Sequence, residues 1–549
     1  MKKHDLWIGA LLGGVTALVV AALSELGNIL FGLPGIAFSL FDWMTRHLPG
    51  SIISLFISTM VSVISNLKLG ATDLAAKRIE QGSAILIFII IGLIFGLVLA
   101  AFGRLHPEKL PTYGIRGGII LLVLMFALLI SLTFQSASII ASAIWLAVLF
   151  IGWGWLLGMA IQYITWPAET QITDPSRRRF LYLVGAGSFT VLVSTVGASL
   201  ISENNSVPAT GAASGAATDK TALDSAAATS GPAKSPPAQA LAARFPAVPG
   251  TRAELTDNKD FYRVDINTIP PQVDANQWRL EVKGLVNHPM QLTLDEIQSR
   301  PSLSQVATLE CISNDVGGDL TSTSLWTGVP LKDILAEAGL KPGAKEVYIR
   351  AADGFYESVP IAEAMDERTM LVYQMNGVTL PVEHGFPLRI YIPNHFGMKM
   401  PKWITSLEVI DHEATGYWVD RGWSQTAVPP TTSVIDVVAT NIYDSKTGLM
   451  PVGGIAYAGA RGISKVEVQV DNGPWTPAEL RNPPLSPLTW VQWRYFWKAQ
   501  IGRHTFRVRA YDGTGQLQPV EPAPPAPNGA TGIDTFTSVS AEGLPGSTN

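Results

Sequence analysis

The chain has 549 residues, 47% of them hydrophobic and only 15% charged, with a formal net charge of −5. That is too long for one domain and too apolar for an ordinary soluble protein, and the mild negative charge excludes nucleic acid as the expected partner. The single cysteine, Cys311, excludes an intramolecular disulfide, a cysteine-rich zinc site, an iron–sulfur cluster and a c-type haem attachment.

Long uncharged runs fill residues 1–201. Leu6–Leu23, Ile52–Leu67, Ser83–Phe102, Gly117–Phe134, Ile139–Thr165 and Phe180–Ile201 each read as a membrane helix. The stretch Leu26–Trp43, interrupted by Pro34 and glycines, reads as a span, a re-entrant segment or an interfacial one. Arg177, Arg178 and Arg179 belong in the cytoplasm, and Arg104, Lys109 and Arg116, two spans earlier, fall on the same side. The last helix then runs outward, and everything after Ile201 is expected outside a cell membrane crossed six or seven times. Lys2 and Lys3 reach the cytoplasm only if Leu26–Trp43 spans, making seven, and this leaves Lys68, Lys77 and Arg78 outside against the charge rule. His4, His47 and His106 lie at or beyond helix ends, where they do not pair as a membrane haem requires. The helices therefore read as an anchor, with docking of an electron-transfer partner or quinone binding as the alternatives.

Residues 202–243 are rich in Ala, Ser, Thr, Gly and Pro and read as a flexible tether, about 40 residues reaching on the order of 35 Å. From residue 244 the pattern changes. "WRLEVKGLV", "VYIRAA", "PLRIYIP" and "ITSLEVI" read as strands, and "LTLDEIQSR" and "PLKDILAEAG" as short helices, the second stopped by Gly339. An α+β domain is expected over 244–432. The alternating strands "ISKVEVQVDNGPW" and "HTFRVRAYDG" give the signature of a β-sandwich over 433–549.

Cys311 lies in "ATLECISNDVGG", where a strand runs into a polar loop. By itself it reads as a small buried apolar residue, as a nucleophile needing a histidine in space, or as a metal thiolate. The segments that follow are "LWTGVPLKDILAEAG", "AADGFYESVP" and "MNGVTLPVEHGFPLRIYIPNHFGMKMPKWI". In this order they resemble the molybdopterin domain of the sulfite oxidase family, and "GGIAYAGARGISKVEVQVDNGPWTPAEL" resembles that family's C-terminal immunoglobulin-like domain. The resemblance covers roughly residues 255–540 and not the membrane half.

The resemblance implies that Cys311 binds molybdenum beside the dithiolene of molybdopterin, a soft donor set suited to that metal. It places Asn314 in the loop beside the metal, and His384 and Arg389 on the pterin and its phosphate. It puts Lys399 and Lys402 in a segment wrapping the cofactor, Arg263 at the entrance to the metal site, and Asp353 in a turn that contacts the cofactor. Without the resemblance these residues read as turn residues and surface charges. Two departures bear on substrate. A basic pair expected after the cysteine loop is replaced by "NDVGG" with Asp315, and Trp423 stands where sulfite-oxidising members carry a tyrosine. The implied activity is oxygen-atom transfer on a small molecule, with electrons exchanged with an external cytochrome or quinone-linked membrane protein. A sulfoxide, S-oxide or N-oxide reductase on the same scaffold is the alternative direction, and a tethered, cofactor-free binding module is the alternative of another class. No haem and no iron–sulfur cluster is expected in the chain itself. "SRRRFLYLVGAG", Ser176 to Gly187, resembles a twin-arginine export signal, a route that moves a folded, cofactor-loaded domain.

Overall fold

In a computed structural model of the protein, residues 4–132, 139–165, 245–444 and 446–540 are described. The arginines 177–179, the helix expected over Phe180–Ile201 and the tether 202–243 lie outside these residues. The chain divides into two compact units, one of residues 1–48 and 77–215, the other of residues 49–76 and 216–549.

The first unit is helical. It holds α1 (His4–Phe31), α2 (Ile36–His47), α5 (Leu110–Ser131), α6 (Ile139–Thr165) and most of α4 (Thr72–Gly103). Among the described residues four helices, α1, α4, α5 and α6, are long and apolar enough to cross a membrane, or five spans if a bent helix pair within residues 36–64 counts as one. Small residues let them touch along the backbone: a Cβ on Gly114 of α5 would lie 2.7 Å from the carbonyl carbon of Gly154 in α6. The Leu26–Trp43 stretch does not form a span of its own. Its first half extends α1, the chain breaks at 32–35 around Pro34, and its second half lies in α2. Twelve residues of helix reach only about 18 Å, too short for a bilayer core. The Ile52–Leu67 run is helical as α3 (Gly50–Leu67), but the chain bends by 119° between α2 and α3, and α3 belongs to the second unit.

The second unit carries two five-stranded sheets and a sandwich. One sheet has the order β2-β1-β10-β5-β6, with β1 (Leu280–Gly284) and β10 (Ile404–Ile410) parallel and the other pairs, β2 (Met290–Leu292), β5 (Glu346–Ala351) and β6 (Tyr356–Pro360), antiparallel. The other runs β3 (Leu303–Glu310), β4 (Thr321–Pro330), β7 (Met370–Met375), β8 (Val378–Thr379), with β9 (Arg389–Tyr391) also paired to β7. One apolar core joins both, from Leu280 and Val282 to Trp326, Leu371, Ile390 and Leu407. Helix α7 (Leu294–Gln298) is started by a capping box: Glu296 N–H donates to Thr293 Oγ1 at 3.1 Å, and Thr293 N–H donates to the Glu296 carboxylate at 2.8 Å. Helix α8 (Leu331–Ala338) buries Leu331, Ile334, Leu335 and Ala338 and stops at Gly339, whose φ is +69°.

The sandwich consists of two antiparallel four-stranded sheets; one runs β11 (Thr432–Val438), β12 (Leu449–Tyr457), β16 (Val491–Lys498), β15 (Glu479–Leu480), the other β14 (Thr476–Pro477), β13 (Ile463–Val470), β17 (Gly502–Asp512), β18 (Asp534–Ser540). Its core takes Ile435, Val452 and Trp493 from one sheet and Val466, Phe506 and Val508 from the other. It is fastened to the back of β3: Thr308 N–H donates to Leu488 O at 3.0 Å, Trp490 N–H to Thr308 Oγ1 at 3.0 Å, and the Tyr457 hydroxyl to Thr308 O at 3.2 Å. The strand that leads into Cys311 is therefore held by its own sheet and by the sandwich.

Candidate cofactor site

Cys311 follows β3 directly, and its N–H donates to Leu320 O at 2.9 Å, closing the loop that leads into β4. Asn314 bolts this loop. Its Oδ1 accepts from Leu320 N–H at 2.9 Å and its Nδ2 donates to the Glu310 carboxylate at 3.2 Å. Asn314 thus acts on the shape of the loop through contacts within the protein. The Cys311 sulfur is 3.1 Å from the Ser313 hydroxyl and only 8% exposed. Burial pushes its thiol above the usual range, with the Ser313 contact pulling the other way. A buried thiolate at that position calls for a cation to compensate it. Burial also lifts the neighbouring Glu310 carboxyl to about 7.

A second cluster forms around β9. His384 ends a short 3-10 turn, Val382–His384; its Nε2 is 3.1 Å from Asn258 O, and its ring meets Phe261 edge-on at 5.3 Å. Arg389 donates to His384 O at 3.1 Å and stacks over the Trp326 ring at 5.0 Å. Gly385, at φ +117°, allows this closeness, since a Cβ there would lie 3.0 Å from that of Arg389 and 3.1 Å from that of Lys402. Lys402 donates to Glu383 O at 3.0 Å and pairs with Asp265 at 3.3 Å; Arg263 pairs with the same carboxylate at 2.9 Å. Burial, reinforced by the charges of Lys402, Arg389 and Arg263, pushes His384 down to about 3. The imidazole is neutral at ordinary pH. Burial draws Arg389 down to about 10, and among the described residues no carboxylate forms an ion pair with it. Arg263 and Lys402 thus share the Asp265 carboxylate beside a neutral histidine, and Arg389 lies in the same cluster. A buried guanidinium without a counter-charge is costly, and the arrangement fits an anionic group such as a phosphate.

Tyr262 links the two clusters and was not singled out by the sequence. Burial raises its phenol well above the usual value, and it lies within electrostatic range of both Cys311 and Arg389. Its hydroxyl would stand 2.8 Å from a Cβ at Gly397. The one available signal was its place beside Arg263 in "FYRVDIN". Trp423 packs with Ile312, Phe396 and Met398, next to the cysteine loop, and its buried Nε1–H has no hydrogen-bond partner among the described residues. An orphaned indole N–H there fits a site that receives an acceptor.

Two expected cofactor residues are committed elsewhere. Lys399 forms a fully buried ion pair with Glu357 at 2.8 Å. Asp353 holds the β5–β6 turn, its Oδ1 accepting from Phe355 N–H at 2.9 Å.

Beside the Cys311–Leu320 loop lies a cavity of about 380 Å³. Asp315, Asp319, Asp436 and Asp534 line it against one cation, Arg252, which pairs with Asp436 at 2.9 Å.

Residues 267–418 match the family described as the oxidoreductase molybdopterin binding domain. The chain is 36% identical over 153 residues to a putative protein-methionine-sulfoxide reductase subunit, YedZ1, of Azospira oryzae, which covers 28% of this chain and 56% of the relative. It is 30% identical over 161 residues to an uncharacterized oxidoreductase, YuiH, of Bacillus subtilis, covering 29% and 79%. It is 28% identical over 323 residues to the mitochondrial sulfite oxidase of Mus musculus, covering 50% and 59%. The chain thus spans little more than half the length of the first and the third of these.

Proposed function

The chain belongs to the sulfite oxidase-like family of molybdopterin-dependent oxidoreductases, and on that premise we propose that it is a membrane-anchored enzyme whose outer domains transfer an oxygen atom between a small molecule and water. The bound molybdenum–molybdopterin cofactor supplies a two-electron centre for that exchange. Cys311 would hold the metal through its sulfur, and Arg389, Lys402, Arg263 and the neutral His384 would hold the phosphate-bearing pterin. The buried guanidinium of Arg389, which forms no ion pair with a carboxylate among the described residues, carries this reading. The packed apolar wall of Trp423, Phe396 and Met398 would exclude water, and the Trp423 N–H would donate to an oxygen brought into the site. Lys399 would act at one remove, by fixing the segment that follows Phe396.

Metal and pterin analysis of protein made in a host that synthesises the cofactor tests the assignment. One molybdenum per chain is expected. Protein without molybdenum or pterin would instead favour the tethered, cofactor-free module.

The acidic cavity favours the reductive direction: a sulfoxide or related oxide takes up two electrons and two protons and leaves as the reduced compound and water. Asp315 and its neighbours repel a dianion such as sulfite, whereas a neutral oxide meets no such barrier. The name of the Azospira relative points the same way. Assays in both directions with artificial electron carriers separate the two. Electrons would come from an external cytochrome or quinone-linked membrane protein, and the C-terminal sandwich is read as immunoglobulin-like. We place the outer domains on the extracytoplasmic side, exported by the twin-arginine route. Replacing Arg177 and Arg178 by lysine keeps the charge, so helix insertion should survive while the folded domain stays inside. An outer domain that still appears outside rules that route out.

A further inference from the structure

We propose that residues 49–76 are a strap of the cofactor-binding unit that lies on the bilayer surface, with one face of α3 in lipid and the other against the loops that frame Cys311. The inference rests on the membrane-anchored reading and on no particular reaction.

From Gly50 to Leu67 the helix carries no charge. Ile53, Met60, Val61 and Ile64 are buried, the spacing of one helical stripe. On the other side Ile52, Leu55, Phe56, Val63 and Leu67 are 40–67% exposed. A helix apolar all round needs an apolar medium on both sides. The protein covers one, and the helix's continuity with the span α4 brings lipid to the other.

Its 18 residues could reach about 27 Å, nearly enough to cross. What argues against crossing is that both ends of the segment are fastened to the same unit. At the start, a Cβ on Gly50 would lie 2.6 Å from Arg421 Cα, and the Ser54 hydroxyl is 3.5 Å from Arg421 O. At the end, Thr72 N–H donates to Asp319 at 2.9 Å, and Arg263 N–H donates to the Asp73 carboxylate at 2.8 Å. In between, Val61 lines the acidic cavity. A spanning helix would part its ends by the bilayer thickness, whereas these ends grip loops two residues from Trp423, within the Cys311 loop and at Arg263. With α3 on the surface, α1 alone carries Lys2 and Lys3 to the cytoplasmic side, and no span over Leu26–Trp43 is needed.

The test is a depth scan of the full-length, cofactor-loaded protein in phosphatidylcholine–phosphatidylglycerol nanodiscs. Nitroxides are attached one at a time at Ile52→Cys, Leu55→Cys, Phe56→Cys, Val63→Cys and Leu67→Cys, with unsubstituted protein as the control for Cys311. Collision with oxygen against a water-soluble nickel chelate reads the depth. All five labels are expected at one shallow level, about 5–10 Å into the boundary region. A depth that rises to the midplane and falls again along the helix overturns the proposal, as does nickel-dominated access or spin–spin broadening from a second copy. A label at Ile90 in α4 separates the two readings: lipid there with water at the strap overturns the strap alone, and water at both overturns the anchored reading with it. Independently, Asp73→Ala should speed hydrogen exchange at the Arg263 amide; unchanged exchange overturns the fastening at that end.

Discussion

Two regions meet near the Cys311 loop with opposite charge. Around β9, Arg263, Arg389 and Lys402 gather at a neutral histidine, with Arg263 and Lys402 both paired to Asp265. Beside the loop, Asp315, Asp319, Asp436 and Asp534 face Arg252, and burial raises the carboxyls of Asp315, Asp436 and Asp534. Both arrangements are costly by themselves, and the costs differ in meaning. A buried guanidinium that meets no carboxylate among the described residues, that of Arg389, suits a resident anion. A half-open acidic cavity suits traffic of molecules that carry no negative charge. On the proposed function, one loop would separate the storage of a charged cofactor from the selection of an uncharged substrate.

The comparison breaks most severely at the thiol between the two regions. Cys311→Ser should reduce molybdenum content to near background and activity with it, while the α+β fold persists, since the loop is closed by Leu320 and Asn314 rather than by sulfur. Metal analysis with circular dichroism checks this. The next largest effect separates storage from stability. Arg389→Met removes a buried cation that has no carboxylate, so the variant should lose most of its pterin, yet melt no lower than wild-type protein made without cofactor. Replacing buried charge by apolar bulk is commonly neutral or stabilising by about 1–4 kcal/mol. A cofactor-free variant that melts well below the matching wild type would make Arg389 a structural residue.

His384 gives a pH signature of the cationic region. Its folded value of about 3 lies below the ordinary value of roughly 6.5, so the unfolded chain takes the proton first. Its contribution is complete above pH ~6.5 and is lost as pH falls towards ~3, with a slope of up to about 1.4 kcal/mol per pH unit. Urea unfolding of the cofactor-free protein should show that slope, and His384→Gln should flatten it.

Much of this was legible because local pattern and tertiary structure agree. "VYIRAA" and "ITSLEVI" are β5 and β10, and "PLKDILAEAG" is α8 because its apolar stripe and stopping glycine are both local features. The ordered motifs around Cys311, His384 and Arg389 fall within residues 267–418, which match the molybdopterin binding domain family. What escaped were properties of pairs. Lys399 meets Glu357 across 42 residues, and nothing near either announces it. Tyr262 gains its place only when Gly397 leaves room for it. Hydropathy alone assigns Ile52–Leu67 to a span, because it counts apolar residues and cannot see that both ends of the segment return to one unit.

The smallest effect tests the acidic region and depends on the polar side alone. Asp315 is half-exposed at the cavity, so its charge is screened and its influence on an approaching ion is modest, within about 1 kcal/mol, or several-fold in affinity. Asp315→Asn should therefore lower the KM for sulfite several-fold, leave kcat nearly unchanged, and leave the KM for a neutral sulfoxide where it was. The gain should shrink as salt is added, because it acts through the field and not through a contact. If both KM values move together, Asp315 shapes the loop that Asn314 and Gly318 build, and selection by charge lies deeper in the site.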